Sequence, residues 1–258
     1  MDRSTALFDK MLTFTSSAFF ELESSLLLGQ VSSSAQHVLD VGCGNGDYLA
    51  RYINHFPQAQ AIGLDLDPFI IQQAKDRNGE AIAFYNCSYE NLPVSDPFDT
   101  ILARLVIDHI SDRTHFWNWL QQRAAINGSI LITDINGYGI SDSTKLPLFT
   151  SMYKGIRDRI RRPSFLRLQD SLRLEMKQFR FHHVTTTEYQ LAIHTKELRA
   201  QFYHYLRSVT ELMTAVQSHL HTPFDHNRNA IYEELENWLI SGDDTMEISM
   251  FCLHAKRI

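Results

Sequence analysis

The chain contains few cysteines, and their positions exclude two kinds of small stabilised domain. Its 258 residues include only Cys43, Cys87 and Cys252. Three scattered cysteines cannot form a disulfide framework or supply the ligands of a typical structural zinc site. Cysteine usage of this kind is typical of a reducing compartment, and we therefore predict a cytoplasmic protein.

Long apolar runs and an excess of positive charge are also absent. No stretch approaches the roughly 20 apolar residues that cross a membrane, and the chain starts Met-Asp-Arg without a basic segment leading into an apolar one. The net charge is −6, which gives no overall electrostatic argument for nucleic acid or an acidic membrane as partner. We therefore expect no membrane association.

Repeats, low-complexity tracts and evident linkers are missing as well. With 44% hydrophobic residues, a chain of this length can bury a large core. We predict a single domain over 1–258 with two parts. The core covers about 31–136 plus 183–194 and 246–258, and a helical cap covers about 1–30, 146–180 and 196–240.

Strands and helices alternate from residue 37 onwards, which predicts an α/β fold with a parallel sheet and right-handed crossovers. A helix over 112–126, ended by Asn127-Gly128, precedes the fifth strand. The seven predicted strands are 37–41, 60–66, 80–86, 98–104, 129–135, 183–194 and 246–256.

The most informative stretch is the turn that follows the first strand, where Gly42, Gly44 and Gly46 alternate with other residues. Such a turn lets the backbone approach a ligand closely, and the next helix offers free N–H groups and its positive dipole end. Dinucleotide enzymes use G-x-G-x-x-G, whereas this chain has G-x-G-x-G with Asp40 just upstream. The spacing predicts a cofactor site and disfavours a nicotinamide dinucleotide.

The second predicted strand ends in an acid at a suitable distance from that turn. Asp65 lies nineteen residues after Gly46, and an acid about 20 residues past the turn can accept hydrogen bonds from ribose hydroxyls. The alternative is that Asp65 caps the following helix. Asp67-Pro68 already explains the start of that helix, and we therefore favour the ribose role for Asp65.

Two further motifs complete a recognisable set: Asn-Cys-Ser-Tyr-Glu-Asn-Leu-Pro over 86–93, and the stretch from Phe98-Asp99 to His109-Ile110. Together with the glycine turn and Asp65, these motifs resemble class I S-adenosylmethionine-dependent methyltransferases. The resemblance covers about 37–135 by motif and the rest by topology. It implies a seven-stranded, mostly parallel Rossmann-like sheet with the last strand antiparallel, and S-adenosyl-L-methionine as cofactor.

The resemblance also implies a set of cofactor-binding residues. Leu66 would pack on the adenine, and Ser88 and Tyr89 would contact it, although Ser88 stands where the family often has a more strongly accepting Asp. Arg104 and Leu105 would lie beside the methionine, with a surface salt bridge as the alternative for Arg104. The full set is Asp40, Gly42, Cys43, Gly44, Asp65, Leu66, Ser88, Tyr89, Arg104 and Leu105.

The implied chemistry is a displacement at the sulfonium methyl group, which requires mainly alignment of the acceptor and exclusion of water. A general base helps when the acceptor is a hydroxyl. His109, just past the fourth strand, is the candidate base, and a purely structural histidine of the family motif is the alternative.

The end of the fifth strand raises the question of a metal. Asp134 and Asn136 are similar to the acid and amide that hold magnesium in catechol-type O-methyltransferases. Those enzymes also need an acid after the fourth strand, where this chain has Ala103-Arg104. We therefore predict no metal, and expect Asp134 and Asn136 to line the acceptor side of the pocket.

The segment 151–180 is locally basic, with nine Lys or Arg residues against three acids. It is either a solvated helix face or a surface that binds an anionic substrate or RNA. The basic residues are Lys154, Arg157, Arg159, Arg161, Arg162, Arg167, Arg173, Lys177 and Arg180.

Aromatic and apolar residues recur in the segments predicted to form the cap. At helical spacing most of them belong to the core, but part of the set is expected to roof the substrate pocket and favour a small organic acceptor. An RNA or protein methyltransferase and a non-catalytic cofactor-binding module are the alternatives. The residues are Phe8, Phe14, Phe19, Phe20, Phe149, Met152, Tyr153, Phe202, Tyr203 and Tyr205.

Overall fold

The protein forms a seven-stranded sheet with helices on both faces. The structure is a computed structural model that describes residues 3–27, 29, 31, 37–141, 143–160, 164–217, 228–241 and 245–258. The strands are β1 (His37–Val41), β2 (Gln60–Asp65), β3 (Ala83–Asn86), β4 (Phe98–Arg104), β5 (Ala124–Ile140), β6 (His182–Ile193) and β7 (Met246–Lys256). The helices are α1 (Arg3–Leu27), α2 (Asp47–His55), α3 (Pro68–Asn78), α4 (Arg113–Arg123), α5 (Pro147–Ile160), α6 (Leu168–Gln178), α7 (Lys196–Gln217) and α8 (Arg228–Ser241).

The strand order is β3-β2-β1-β4-β5-β7-β6, and only β7 runs antiparallel to its neighbours. The predicted fold class is therefore confirmed. The chain builds outward from β1 to β3 and then returns to place β4 on the other side of β1. In open α/β sheets, ligands bind at such a reversal, at the carboxyl ends of the strands.

Alternation along each strand supplies two separate cores, because successive side chains point to opposite faces. Val38, Leu102 and Leu131 pack on one face with residues of α1, α2, α5, α7 and α8. Their sequence neighbours Leu39 and Ile101 pack on the other face with residues of α4 and α6. No helix in the described parts of the chain combines the length and apolarity needed to cross a bilayer.

The boundary between α4 and β5 differs from the sequence prediction. The helix ends at Arg123 and the strand starts at Ala124, which pairs with Phe98. The Asn127 N–H donates to the Arg257 carbonyl at 2.9 Å. Pairing with the C-terminal residues thus turns the end of the predicted helix into strand, because a tertiary contact outweighs the local pattern.

Helix α6, which the sequence assigned to the cap, packs against the sheet instead. Leu172 and Met176 on this helix are fully buried and belong to the same cluster as Trp117 of α4 and Phe181. The apolar spacing of α6 matches a sheet-covering helix as well as a cap helix, so the pattern alone could not separate the two.

Candidate active site

The glycine turn folds back over the end of β2. The N–H groups of Gly42 and Cys43 both donate to the Leu64 carbonyl at 2.9 Å. Gly44 and Gly46 have φ values of +54° and +77°, where any residue with a Cβ is strained. A Cβ on Gly44 would lie 2.9 Å from a Leu12 methyl group. The turn therefore needs glycine for both conformation and space.

Asp65 is joined directly to this turn. One carboxylate oxygen, Oδ2, accepts from the Gly44 N–H at 3.0 Å, and Oδ1 accepts from the Asp67 N–H at 3.0 Å. Asp67 itself caps α3 by accepting from the N–H groups of Phe69 and Ile70. Each Asp65 oxygen keeps a second acceptor position, so the carboxylate can still receive hydroxyl groups from a ligand.

The residues predicted to contact an adenine lie beyond Asp65. Leu66 is 72% exposed and presents an apolar surface next to Asp65. The Ser88 hydroxyl accepts from the Asn91 amide at 3.0 Å. The Tyr89 ring packs edge-on against Trp119, with ring centroids 5.1 Å apart. The Tyr89 side chain therefore belongs to the packing of α4, and its backbone is the part that remains for a ligand.

Asp40 and Cys43 lie in the interior beneath the turn. Asp40 is 2% exposed, and its Oδ1 has no hydrogen-bond partner among the described residues. Burial raises the pKa of Asp40 to about 7, although Arg104 nearby opposes this shift. The Cys43 sulfur would meet a Cβ on Gly63 at 2.8 Å, so this thiol fills the space between the turn and β2.

Arg104 forms a buried ion pair that the sequence did not predict. Its Nε lies 3.1 Å from Oε2 of Glu23 on α1, and the Glu23 side chain is fully buried. The Tyr189 hydroxyl donates to the same carboxylate at 2.7 Å, and the guanidinium lies 4.8 Å from the Tyr48 ring centroid. The alternative of a surface salt bridge is wrong, because Arg104 holds α1 to β4 from inside the protein.

Glu23 was missed by the sequence analysis, although a signal was present. It lies four residues after Phe19 and four before Leu27, both buried on the apolar stripe of α1. A carboxylate on the buried side of a helix needs a cationic partner.

Leu105 follows β4 in an unusual conformation. Its φ is +56°, which is uncommon for a residue other than glycine. Its N–H donates to the Thr133 carbonyl at 2.8 Å, and the next residue, Val106, approaches Gly42 so closely that a Cβ there would lie 2.7 Å from it. The chain leaving β4 therefore passes directly beside the glycine turn.

Asp134 on β5 lies beside Leu105, because each follows the last paired residues of the two strands, Thr133 and Arg104. It is 2% exposed, its Oδ1 accepts from the Ile135 N–H at 2.7 Å, and its Oδ2 has no partner among the described residues. Burial foremost, and then the nearby Asp108, raises the pKa of Asp134 to about 6. Asp108 itself pairs with Arg157 of α5 at 3.3 Å, and both side chains are largely buried.

Asn136 does not join Asp134 as the sequence suggested. Its amide nitrogen donates to Glu188 at 2.9 Å, and its amide oxygen accepts from Gln169 at 2.8 Å. Asn136 is therefore bound to α6 and β6 rather than to the interior beside Asp134. Within the described ranges, no group of three or more His, Cys, Asp or Glu residues is arranged to hold a metal ion.

His109, the predicted candidate base, lies in the short 3-10 turn Ile107–His109. Its side chain is exposed, whereas the neighbouring Asp108 is largely buried and bound to Arg157. The structure therefore does not bring His109 into the buried polar cluster of Asp108, Asp134 and Arg157.

Helix α1 lies across the glycine turn. The Asn45 amide donates to Asp9 Oδ1 and to the Thr13 hydroxyl, both at 2.9 Å, and Asn45 is only 1% exposed. Arg77 of α3 pairs with Asp9 at 2.5 Å. These contacts involve the variable positions of the motif, and for this reason the glycine spacing did not reveal them.

Aromatic rings join α1, α5 and α7 on the face that carries Arg104. Phe14 stacks on Tyr205 with centroids 5.4 Å apart and meets Phe202 edge-on at 4.8 Å. The Tyr205 hydroxyl donates to the Tyr153 hydroxyl, and burial raises the pKa of both phenols. Part of the predicted aromatic set is therefore brought together.

A cavity of about 470 Å³ lies beside Asp108, at the end of the sheet where β5 continues past Asp134. Gly137, Arg113, Phe165 and Arg167 contribute to its wall. This volume falls in the range of small-molecule sites, which is roughly 300–1,000 Å³.

The basic residues of 151–180 do not act as one group. Arg157 is buried against Asp108, and Arg167 pairs with Asp170 and Glu188 at 2.8 and 2.9 Å. The remaining described members lie on α5 and α6, except Arg180, which follows α6. Arg161 and Arg162 lie outside the described residues.

Comparisons with known proteins identify the family of the chain. The family model for a methyltransferase domain matches residues 32–202. Malonyl-[acyl-carrier protein] O-methyltransferase 1 of Ilyobacter polytropus is 26% identical over 101 residues, which is 38% of each chain. Trans-aconitate 2-methyltransferase of Acidovorax sp. (strain JS42) is 42% identical over 52 residues, or 20% of each chain.

A solved structure shares the fold over most of the chain. Phosphoethanolamine N-methyltransferase 2 of Haemonchus contortus, in complex with S-adenosyl-L-methionine, gives a TM-score of 0.55 at 17% identity. The alignment covers 92% of this chain and 52% of that one. Because the family model spans well over half of the sequence, the chain belongs to the methyltransferase-domain family.

Proposed function

We propose that this protein transfers a methyl group from S-adenosyl-L-methionine to a small organic molecule. The observation that carries the proposal is the hydrogen bond from the Gly44 N–H to Asp65. This bond joins the cofactor cradle, which is the glycine turn over 42–46, to a carboxylate that can accept ribose hydroxyls. Both lie where the strand order reverses. The family membership and the methyltransferase names of the partial relatives support it.

The residues present fit this cofactor. A Cβ at Gly44 would fill the cradle, and the buried Asp40 Oδ1 lacks a partner among the described residues, as a carboxylate awaiting an ammonium group would. Asp65 would hold the ribose, and Leu66 would cover the adenine. When bound, S-adenosyl-L-methionine supplies an electrophilic methyl group on a sulfonium.

Further residues complete the proposed cofactor site. The Ser88 hydroxyl and the Tyr89 backbone would lie at the adenine edge. Gly42, Cys43 and the strained Leu105 would form the wall beside the methionine. The Arg104 guanidinium is bound to Glu23, so its contribution would be to hold α1 and Asp40 in place rather than to contact the ligand.

We also propose a single domain in which α1, α5, α7 and α8 cap the carboxyl ends of the strands. Such a cap excludes water from the methyl group and limits the size of the acceptor. The three cysteines are unpaired, which supports our placement of the protein in the cytoplasm.

A small acceptor is favoured over RNA or protein. The cavity beside Asp108 has the volume of a small-molecule site. The paired and divided basic residues of 151–180 provide no continuous surface for phosphates among the residues described.

Calorimetry on one sample tests the cofactor assignment. We expect S-adenosyl-L-methionine and S-adenosylhomocysteine to bind and NAD not to bind. Binding of NAD with neither sulfur ligand would contradict the proposal, because the glycine turn would then hold a dinucleotide.

Turnover separates an enzyme from a non-catalytic binding module. Fractionated small-molecule extracts are incubated with protein and S-adenosyl-L-methionine, and formation of S-adenosylhomocysteine is measured. We expect at least one fraction to raise product formation above the level without extract. Cofactor binding with no stimulated turnover by any fraction would favour the binding module.

A further inference from the structure

The carboxyl edge of the sheet places Asp134 one strand beyond the cofactor cradle. The turn follows β1, Leu105 follows β4, and Asp134 lies one residue past the last pairing of β5 with β4, Arg104 with Thr133. Neighbouring strands are about 4.8 Å apart, so β5 lies about 10 Å from β1. A side chain at the end of β5 is therefore placed to contact a methyl acceptor that lies beyond the cofactor's methionine, on the side away from β1.

The Asp134 carboxylate has one occupied and one unoccupied acceptor. The Ile135 N–H fixes Oδ1 at 2.7 Å, whereas the buried Oδ2 has no partner among the described residues. Leaving a buried carboxylate oxygen without a hydrogen bond costs stability. The unpartnered oxygen is thus available to accept a hydrogen bond from a ligand on the β5 side.

The surrounding charges offset the charge of Asp134 only in part. Arg157 of α5 is nearby, but it already pairs with Asp108 of the turn after β4. Arg104 of β4 pairs with Glu23. The Tyr153 hydroxyl of α5 also interacts with Asp134 and is hydrogen-bonded to Tyr205 of α7. The cluster therefore has a surplus of negative charge when Asp134 is ionised.

This charge surplus selects among acceptors. A carboxylate acceptor would have to approach Asp108 and Asp134 together, with a single arginine between them, and like charges in such surroundings repel strongly. A hydroxyl or an amine instead brings a proton that the free oxygen can accept. Asp108 also lines the cavity of about 470 Å³, which gives a small acceptor space next to the cluster.

We propose that Asp134 is the general base of the reaction and that the methyl-accepting atom is a proton-bearing oxygen or nitrogen, not a carboxylate. This inference rests on the proposed methyl transfer. The acceptor atom forms the new bond to the methyl carbon as the C–S bond breaks, and the bonding pair returns to sulfur, which becomes a neutral thioether. The proton of the acceptor passes to Asp134 Oδ2.

Asp134 replaces His109 in this role. The exposed ring of His109 lies outside the buried cluster, whereas Asp134 is enclosed beside it. Burial also raises the pKa of Asp134 to about 6, which makes it a stronger base than an exposed carboxylate while leaving it ionised at neutral pH.

A cofactor analogue tests the position of Asp134 without knowledge of the acceptor. In sinefungin, a carbon bearing an amino group replaces the methylated sulfur, so its ammonium group marks the place of the transferred methyl. At pH 8 we expect sinefungin to bind more tightly than S-adenosylhomocysteine. In Asp134→Asn the ratio of the two affinities should fall about 10-fold, because the ammonium group loses its ionic attraction to a buried carboxylate that lies one acceptor atom beyond it.

Matched variants control this measurement. Asp76→Asn makes the same chemical change at an exposed carboxylate of α3 that contacts Gln72, and it should leave the ratio unchanged. Asp108→Asn should lower the ratio less than Asp134→Asn does, because the Asp108 carboxylate is already paired with Arg157. A larger loss in Asp108→Asn, or an unchanged ratio in Asp134→Asn, would overturn the proposal.

The pH dependence of the wild-type ratio gives a second measurement that requires no variant. The ratio of the sinefungin affinity to the S-adenosylhomocysteine affinity should fall as the pH drops below about 6, where Asp134 takes up a proton. Groups that act on both ligands, such as Asp40, change the two affinities equally and leave the ratio unchanged. A ratio independent of pH between 5 and 8 would overturn the inference. Failure of both ligands to bind would instead overturn the proposed function, and turnover confined to carboxylate acceptors would overturn this inference alone.

Discussion

On the β1 and β2 side of the candidate site, the surface offered to a ligand is mostly backbone. Gly44 donates to Asp65, and the glycines leave no side chains in the way. On the β5 side the surface is made of side chains from distant parts of the chain, with Asp134, Asp108 and Arg157 coming from a strand, a short turn and a helix.

This difference teaches which half of the site depends on local sequence and which on tertiary packing. The backbone half, made of the glycine turn and Asp65, is formed by residues close together along the chain. It therefore depends on the order of residue types within a short stretch of sequence. The side-chain half depends on how α1 and α5 pack on the sheet. Variants on the two sides should therefore fail in different ways.

Arg104 lies between the two halves, and its loss should have the largest effect. Arg104→Met leaves the fully buried Glu23 with hydroxyl donors, Tyr189 and Tyr48, but without its cationic partner. We expect the free energy of unfolding to fall by about 3–5 kcal/mol, because a buried charge loses its partner. Urea denaturation measures this change.

The double variant Glu23→Gln/Arg104→Met provides the control. It removes the buried charge together with its partner, so it should regain much of the lost stability. A cost below about 1 kcal/mol for Arg104→Met would show that the pair behaves like an exposed one.

Asp40 should make stability depend on pH in a defined window. Burial raises its folded-state pKa to about 7 and that of Asp134 to about 6, whereas in the unfolded chain an Asp titrates near its ordinary value of about 3.9. At these two groups the folded state binds more protons across this window, so their contribution to the free energy of unfolding falls as the pH rises and levels off above it.

Asp40→Asn should flatten this slope between about pH 6.5 and 7.5, where Asp134 is mostly deprotonated. Urea denaturation at half-unit steps of pH measures it. Asp134→Asn serves as the control and should change the slope mainly below pH 6. An identical slope in Asp40→Asn and wild type would contradict the assignment to Asp40.

Asp65 should affect cofactor affinity in addition to stability, since it accepts hydrogen bonds from Gly44 and Asp67. Asp65→Ala is expected to weaken binding of S-adenosylhomocysteine by about 1–3 kcal/mol through loss of charge-assisted hydrogen bonds. Asp67→Ala is the matched control, since it removes the cap of α3 and should lower stability by about 1 kcal/mol with little change in affinity. Unchanged affinity in Asp65→Ala would place the ribose elsewhere.

Arg77 should give the smallest effect. Arg77→Met removes the ion pair with Asp9, in which the Arg77 side chain is 34% exposed. We expect at most about 1 kcal/mol of lost stability, together with faster hydrogen exchange in the part of α1 near Asp9. Equal costs for Arg77→Met and Arg104→Met would remove the distinction between surface and buried attachments of α1.

Most of the fold and the backbone half of the site could be predicted from sequence. The glycine turn and Asp65 lie 21 residues apart at the contact that joins them, and their spacing is itself the signal. Strand and helix alternation predicted the sheet because each element carries its own period.

The side-chain half could not be predicted in the same way. Glu23 and Arg104 are 81 residues apart, and Asp108 and Arg157 are 49 apart. No local period links such residues, because their pairing is decided by how helices pack on the sheet. Asn136 shows the same limit. Its position two residues after Asp134 gave no indication that Gln169 and Glu188 would bind it.

The antiparallel strand β7 has an evolutionary consequence. Because β6 runs parallel to β5, the chain leaves β6 and enters β7 at the edge where the glycine turn lies, and α7 and α8 occupy that connection. A longer, shorter or foreign connection at this point would alter the proposed cap while the sheet and the glycine turn stay the same. Exchange of α7 and α8 between relatives is thus a route by which one scaffold could acquire new acceptors without rebuilding its core.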